Sequence, residues 1–120
     1  MWYNKELPAS ALVNRCFDKV FQRGERIIFN ANGNKSIVLE HVQDCCENVY
    51  IESIVGDLSD LENTPILRCE IAYQKSRDNE SSSNTWTFIK LATIKGYVDI
   101  RFYGDSNGYY SETAEFYEER

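Results

Sequence analysis

The sequence lacks the features that mark secreted, membrane-spanning and phosphate-binding proteins. No apolar run approaches the roughly 20 residues that a membrane-spanning helix needs. The first residues include acidic Glu6 and lack the long apolar segment of a signal peptide. Acidic residues outnumber basic ones, and the net charge of −6 argues against a protein that binds nucleic acid by neutralising phosphates. We therefore expect a cytoplasmic protein that binds neither membranes nor nucleic acid directly.

The chain does contain enough apolar sequence for one globular domain. It has 120 residues, of which 42% are hydrophobic, so a core can form without disulfide staples. Residues 76–84 are polar and Ser-rich, and this composition is typical of a loop. Too few residues follow that loop to build a second core. We therefore predict a single domain over residues 1–120.

Most of the chain has the pattern of short β-strands. Asn32-Gly33 is the strongest short hairpin signal, and it separates the apolar segments 26–31 and 36–42. Residues 96–103 alternate between apolar and polar side chains, as expected for a strand with one buried face. The residues expected on that buried face are Val98, Ile100 and Phe102.

One or two short helices are expected beside these strands. Residues 57–62 can form one or two helical turns, with Asp57 or Ser59 as the N-cap. The N-terminal dozen residues have apolar positions near helical spacing. The sequence therefore predicts an α+β fold, dominated by antiparallel β-hairpins, with one or two short helices.

The segment His41-Val-Gln-Asp-Cys-Cys-Glu contains the only histidine and two of the four cysteines. Without a secretion signal, cysteines are expected to be free thiols or metal ligands. Zinc prefers four ligands drawn from cysteine sulfur and histidine nitrogen. The sequence therefore predicts a structural zinc site. Its candidate ligands are His41, Cys45, Cys46 and Cys69, and Glu70, Asp44 or Asp57 could replace Cys69.

Other interpretations of these residues stay open at the sequence level. Cys69 shares its strand face with apolar residues and can be a buried thiol of the core. Cys45 and Cys46 can form a vicinal disulfide. Either of them can also pair with His41 as a thiolate and imidazole, with Asp44 or Glu47 orienting the ring.

Tyrosines cluster in the sequence around the hairpin that ends the chain. They are Tyr97, Tyr103, Tyr109 and Tyr110. Aromatic side chains on a sheet can stack on single-stranded bases, but basic neighbours are missing here. Cross-strand packing is the better interpretation. A patch for binding another protein is the third, because tyrosine is enriched in binding hot spots.

Two long stretches carry a resemblance to a known family. They are HVQDCCENVYIESIVGDLSDLENTPIL (residues 41–67) and TWTFIKLATIKGYVDIRFYGDSNGYYSETAEF (residues 85–116). Together they resemble a family of small phage and prophage proteins of unknown function, over residues 12–116. The family itself implies no chemistry.

In size and expected zinc content the chain is also similar to zinc-containing anti-CRISPR proteins. This resemblance implies a non-enzymatic phage inhibitor that acts in the cytoplasm of the bacterial host. Its partner would be the recognition lobe of a type II RNA-guided nuclease, and binding would block target DNA loading. The alternatives are a phage housekeeping or accessory protein and a small cysteine-dependent enzyme.

An acidic inhibitor would dock on the rim of the positively charged channel that holds the guide–target heteroduplex. Acidic residues in the short helix and at the C-terminus are the candidates for that contact, and we expect them to be exposed. They are Asp57, Asp60, Glu62, Glu112, Glu115, Glu118 and Glu119.

Overall fold

The computed structural model describes residues 5–33, 35–79 and 82–119, which form nine strands and two short 3₁₀ helices. The 3₁₀ helices are Ala9–Leu12 and Leu58–Leu61. The strands are β1 (Lys5–Leu7), β2 (Lys19–Arg23), β3 (Arg26–Asn30), β4 (Ile37–Glu40), β5 (Asn48–Val55), β6 (Arg68–Asn79), β7 (Ser82–Thr93), β8 (Gly96–Ser106) and β9 (Glu115–Glu118).

The strands form two antiparallel sheets. One has five strands in the order β1-β9-β4-β3-β2, and the other has four in the order β5-β8-β7-β6. One apolar core contains buried side chains of both sheets, including Phe29 and Phe116 of the first and Ile89 and Phe102 of the second. The two sheets therefore share a single core, as in a β-sandwich.

The central strands of the four-stranded sheet bury every second side chain, as the pleat of a strand dictates. On β8 the buried residues are Val98, Ile100 and Phe102, the three that the sequence pattern predicts. On β7 the buried face is polar near Ser83 and apolar near Leu91. The alternate residues of β7, such as Trp86, face outward. This polar stretch of an otherwise apolar interior positions the carboxylate of Glu112, described below.

The fold is all-β, so the predicted α+β class is wrong. Within the described ranges, helix is confined to the two four-residue 3₁₀ segments, and most residues are in strands. Asp57 caps the second of them, where its side chain accepts a hydrogen bond from the N–H of Ser59. Leu58–Leu61 stays short because only Leu61 of this segment is fully buried in the core. No helix in the described part of the chain has the length and apolar character needed to cross a lipid bilayer.

The N-terminal helix and the Ser-rich loop also differ from expectation. The described N-terminal residues form β1 and the short Ala9–Leu12 helix, because β1 pairs with β9. The predicted loop 76–84 is mostly strand, since β6 extends to Asn79 and β7 begins at Ser82. Residues 80 and 81 of that predicted loop lie outside the described residues. The hairpin around Asn32-Gly33 is confirmed by the pairing of β3 with β4.

Candidate functional site

His41 and Glu47 form a buried ion pair in the connection between β4 and β5. Nε2 of His41 lies 2.7 Å from Oε2 of Glu47, and Nδ1 lies 2.8 Å from the backbone oxygen of Thr113. The side chains of His41 and Glu47 are 5% and 0% exposed. The hydrogen bond from His41 to Thr113 therefore ties the β4–β5 connection to the segment that precedes β9.

Both ring nitrogens of His41 donate hydrogen bonds. A carbonyl oxygen and an ionised carboxylate only accept hydrogen bonds, so both ring nitrogens are placed to donate. Burial raises the pKa of Glu47, but the backbone N–H groups of Cys45 and Asp44 and the His41 ring outweigh burial and lower the pKa to about 2. Glu47 is therefore a buried carboxylate that its hydrogen-bond donors hold ionised.

The carboxylate of Glu47 also organises the turn formed by residues 43–47. Its Oε1 accepts the N–H of Cys45 at 2.9 Å, and its Oε2 accepts the N–H of Asp44 at 2.7 Å. The side-chain amide of Gln43 donates to the backbone oxygen of Glu47 at 2.7 Å. Cys45 and Cys46 are exposed at the tip of this turn, and their sulfurs are joined in a disulfide.

The other two cysteines lie elsewhere. Cys69 is buried on β6 in the shared core, as expected for a core thiol, and burial raises its pKa to about 12. Cys16 is exposed and free, and its backbone forms an isolated bridge with Pro65. The disulfide of the turn is therefore separate from both free thiols.

The structure does not group the four predicted zinc ligands around one point. The two ring nitrogens of His41 lie against Glu47 and the backbone oxygen of Thr113. Cys45 and Cys46 are bonded to each other, and Cys69 is in the core. In residues 5–33, 35–79 and 82–119, no three His, Cys, Asp or Glu side chains are grouped so that they could hold a metal ion. Zinc binding stays a prediction, and elemental analysis of the purified protein tests it.

A second buried carboxylate, that of Glu112, lies against the polar part of the four-stranded sheet. Its Oε1 accepts the hydroxyl of Thr85 at 2.8 Å, and its Oε2 accepts the hydroxyls of Ser83 and Ser106. Burial raises the pKa of Glu112, but these hydrogen bonds, led by that of Ser106, and the positive charge of Lys75 lower it below its ordinary value. Glu112 thus fastens the segment between β8 and β9 to the sheet.

The backbone of that segment also passes very close to β8 at Gly104. A Cβ atom at this position would overlap the backbone oxygen of Glu112 and would lie 2.9 Å from the Cγ2 of Val49. The close approach therefore requires the absence of a side chain at residue 104.

The acids predicted to bind a partner are distributed over different environments. Asp57 is exposed at the start of the second 3₁₀ helix, and Asp60 is half-buried against Gly96. Glu62 is also half-buried, and its Oε2 accepts the N–H of Val20 at 2.8 Å. Glu112 lies in the interior, in contrast to the exposure expected from the sequence.

The acids at the C-terminus are half-buried and hydrogen-bonded or paired with arginines. Glu115 accepts hydrogen bonds from Thr113 and Tyr117. Glu118 lies 3.9 Å from Arg15. Glu119 lies 3.6 Å from Arg26. These acids belong to β9 and the residue after it, whereas Asp57 and Asp60 lie beside the four-stranded sheet.

The outward face of the four-stranded sheet carries an aromatic band, which runs across β5, β8 and β7. Its members are Tyr50, Trp86, Phe88 and Tyr103. The Tyr103 ring is 5.7 Å from that of Tyr50 and 5.2 Å from that of Trp86, measured between centroids. Two more large side chains on this face, Val55 and Tyr97, are 63% and 71% exposed. Asp99 and Arg101 lie between Tyr97 and Tyr103 on this face of β8. The sheet therefore presents two apolar patches to solvent, the aromatic band and the end that carries Val55 and Tyr97.

A groove crosses the same face beside Phe88. Its outward lining includes Val55, Asp99 and Arg101. The pairing of β5 with β8 shifts register between Ile51 and Ser53, and Glu52 at this bulge lies 2.6 Å from Arg101. The bulge thus places an ion pair at the edge of the apolar surface.

The tyrosine cluster expected from the sequence is divided in the structure. Tyr97 lies at the start of β8, whereas Tyr109 and Tyr110 follow its end, so the length of the strand separates them. Tyr103 contributes cross-strand packing, as the preferred interpretation predicts. Sequence reasoning missed Trp86 as its neighbour. The signal was the alternation of residues 83–91, in which Trp86 falls on the face opposite to the buried hydroxyls.

Comparison with known proteins identifies a family whose function is unknown. The family described as a domain of unknown function, DUF7448, matches residues 10–116. No curated protein and no solved structure matches the chain. Because the matched residues include nearly all of the two sheets and both buried carboxylates, the chain belongs to the DUF7448 family.

Proposed function

We propose that the protein is a non-enzymatic inhibitor that binds another protein through the outward face of its four-stranded sheet. The aromatic band is the observation that carries the proposal. Contiguous apolar surface on a soluble protein commonly marks an interaction site. Tryptophan and tyrosine, which make up most of the band, are the residues most often found in binding hot spots.

Negative charge at one end of this face favours a partner with a basic surface. Asp57 follows Val55 by two residues, and Asp60 lies against Gly96, the residue before Tyr97. The two acids thus border the exposed apolar side chains. Complementary charge at the rim of an interface speeds association and fixes orientation, while the apolar centre supplies most of the affinity.

The partner that the sequence resemblance suggests is a type II RNA-guided nuclease. Such a nuclease holds its guide–target heteroduplex in a positively charged channel. An inhibitor with a net charge of −6 could dock beside that channel, on the recognition lobe, and block target DNA loading. The inhibitor would be encoded by a phage and would act in the cytoplasm of its bacterial host.

A cleavage assay with a purified type II nuclease, guide RNA and target DNA tests the target. Pre-incubation with the protein should abolish target binding and cleavage in proportion to its concentration. Nuclease activity that stays unchanged at saturating protein would contradict the nuclease as the partner, and the surface proposal would then be tested with other defence nucleases.

Matched tyrosine variants test the surface. Tyr103→Ala removes the central ring of the aromatic band and should weaken binding about tenfold or more. Tyr109→Ala removes a ring that is 87% exposed beyond the end of β8 and should leave binding unchanged. Equal affinities of the two variants, measured by calorimetry, would rule out this face as the interface.

A further inference from the structure

The disulfide of the turn has no part in the aromatic band and does not act as a structural staple. Cys45 and Cys46 are adjacent in sequence and both exposed. A disulfide stabilises a fold mainly by closing a loop in the unfolded chain, and the effect grows with the length of that loop. A bond between neighbouring residues closes almost no loop. The disulfide therefore contributes little to the free energy of unfolding.

The turn keeps its shape without help from the sulfurs. The Glu47 carboxylate holds the N–H groups of Asp44 and Cys45, and His41 holds the carboxylate. The Gln43 amide adds a hydrogen bond to the backbone oxygen of Glu47. None of these contacts involves a sulfur atom, so we expect them to persist when the disulfide is cleaved. The two sulfurs would consequently stay neighbours at an exposed tip, ready to bond again.

The remaining cysteines cannot form such a couple. Cys69 is buried, and burial raises the pKa of its thiol to about 12, so the reactive thiolate hardly forms. Cys16 is an exposed free thiol, so it can form a mixed disulfide with an oxidant but is not part of a bond that small thiols can reduce. Reduction by small thiols should therefore be selective for the Cys45–Cys46 pair.

We propose that Cys45 and Cys46 are a reversible dithiol–disulfide couple that exchanges with small thiols and disulfides of the cell. In the reducing direction, a thiolate of a dithiol attacks one sulfur, breaks the Cys45–Cys46 bond and forms a mixed disulfide. The second thiol of the reagent closes its own disulfide and releases both cysteines as thiols. Two electrons and two protons pass from the dithiol to the protein. In the other direction, oxidised glutathione becomes two reduced glutathiones.

Alkylation of the Cys16→Ser protein, followed by intact mass and peptide mapping, measures the couple directly. After treatment with oxidised glutathione, native protein should take up no iodoacetamide. After treatment with dithiothreitol and its removal, native protein should take up two carbamidomethyl groups, on Cys45 and Cys46. A second exposure to oxidised glutathione should restore the first result. Thermal denaturation should differ little between the two states.

The Cys46→Ser protein provides the matched control. It cannot close the internal bond, so oxidised glutathione should leave a glutathione adduct on Cys45. The proposal is overturned if the parent protein accumulates such adducts instead of an internal disulfide, or if both thiols remain open to alkylation. It is also overturned if purified protein carries one zinc ion that Cys45→Ser removes. None of these results depends on whether the protein binds a nuclease.

Discussion

The two buried carboxylates, Glu47 and Glu112, are equally hidden from solvent but are stabilised by different partners. Their exposed fractions are 4% and 3%. Glu47 faces the imidazole ring of His41 and two backbone N–H groups. Glu112 faces three neutral hydroxyl groups from two strands. In both cases hydrogen bonds lower the pKa against the effect of burial, so each residue stays ionised at neutral pH.

The difference shows two ways in which one chain can hold a charge in its interior. A buried charge is costly unless it is paired or hydrogen-bonded. The Glu47 carboxylate and the His41 ring are each other's buried partners, so removing either member leaves the other without that partner. The hydroxyls around Glu112 carry no charge, so losing the carboxylate leaves only polar groups without partners. The two sites should therefore respond unequally to the same substitution.

The largest effect is expected for Glu47→Ala. The His41 ring would keep two buried N–H groups with one acceptor, and the turn would lose the acceptor of its N–H groups. Breaking a buried ion pair by removing one partner costs about 3–5 kcal/mol of unfolding free energy. Urea denaturation measures the loss. The control is Glu70→Ala, which removes a surface ion pair with Arg68 and should leave the midpoint nearly unchanged.

A smaller loss is expected for Glu112→Ala. Three hydroxyls would lose a charged acceptor, at a cost of about 2–3 kcal/mol in total, because some of them can find other partners. The segment before β9 should also exchange its amide hydrogens faster. Glu112→Gln retains one acceptor oxygen and should lose less stability than Glu112→Ala. The reverse order of these two variants would show that the hydroxyl contacts do not stabilise the fold.

Removing one of the hydroxyl groups around Glu112 should lower the free energy of unfolding by less than removing Glu112 itself. Ser83→Ala takes away one of the three donors to Glu112 and should lower the free energy of unfolding by about 1 kcal/mol. In the Glu112→Ala background the same change should have almost no effect, because the contact is already lost. A double-mutant cycle measures this coupling. Additive losses would mean that Ser83 acts through packing alone.

Mild acid is expected to have the smallest effect on stability. The pKa of Glu47 falls from 4.5 to about 2 on folding, and the pKa of Glu112 also falls. A lowered pKa stabilises the folded protein above the unfolded value and loses that contribution as the pH drops through the folded value. These two groups should therefore contribute fully at pH values above about 4.5 and lose stability only below it. Glu47→Gln should flatten the decline below that pH in urea titrations.

Much of the fold follows from local patterns in the sequence. The Asn32-Gly33 hairpin, the alternation of β8 and the capped turn after Asp57 were predicted because neighbours along the chain determine them. The fold class was wrong because the expected helices are only four-residue 3₁₀ segments beside nine strands of the described chain. At the N-terminus, the pairing of β1 with β9, more than a hundred residues away, decides the structure.

The site was harder to predict because its contacts are remote in sequence. Serine is common in loops because its hydroxyl competes with backbone hydrogen bonds. In β7 the backbone instead pairs with β6 and β8, and the hydroxyls of Ser83 and Thr85 meet a carboxylate from 27 or more positions away. His41 shows the same difficulty. Its nearness to Glu47 was visible in the sequence, but its bond to Thr113 was not.

Gly104 has a consequence for the position of Glu112. Even alanine there would displace the crossing segment, and the displacement would carry Glu112 away from its three hydroxyls. A larger residue at 104 should therefore weaken the hydrogen bonds of Glu112. One missing methyl group thus sets how closely the segment that carries this acid can approach the sheet.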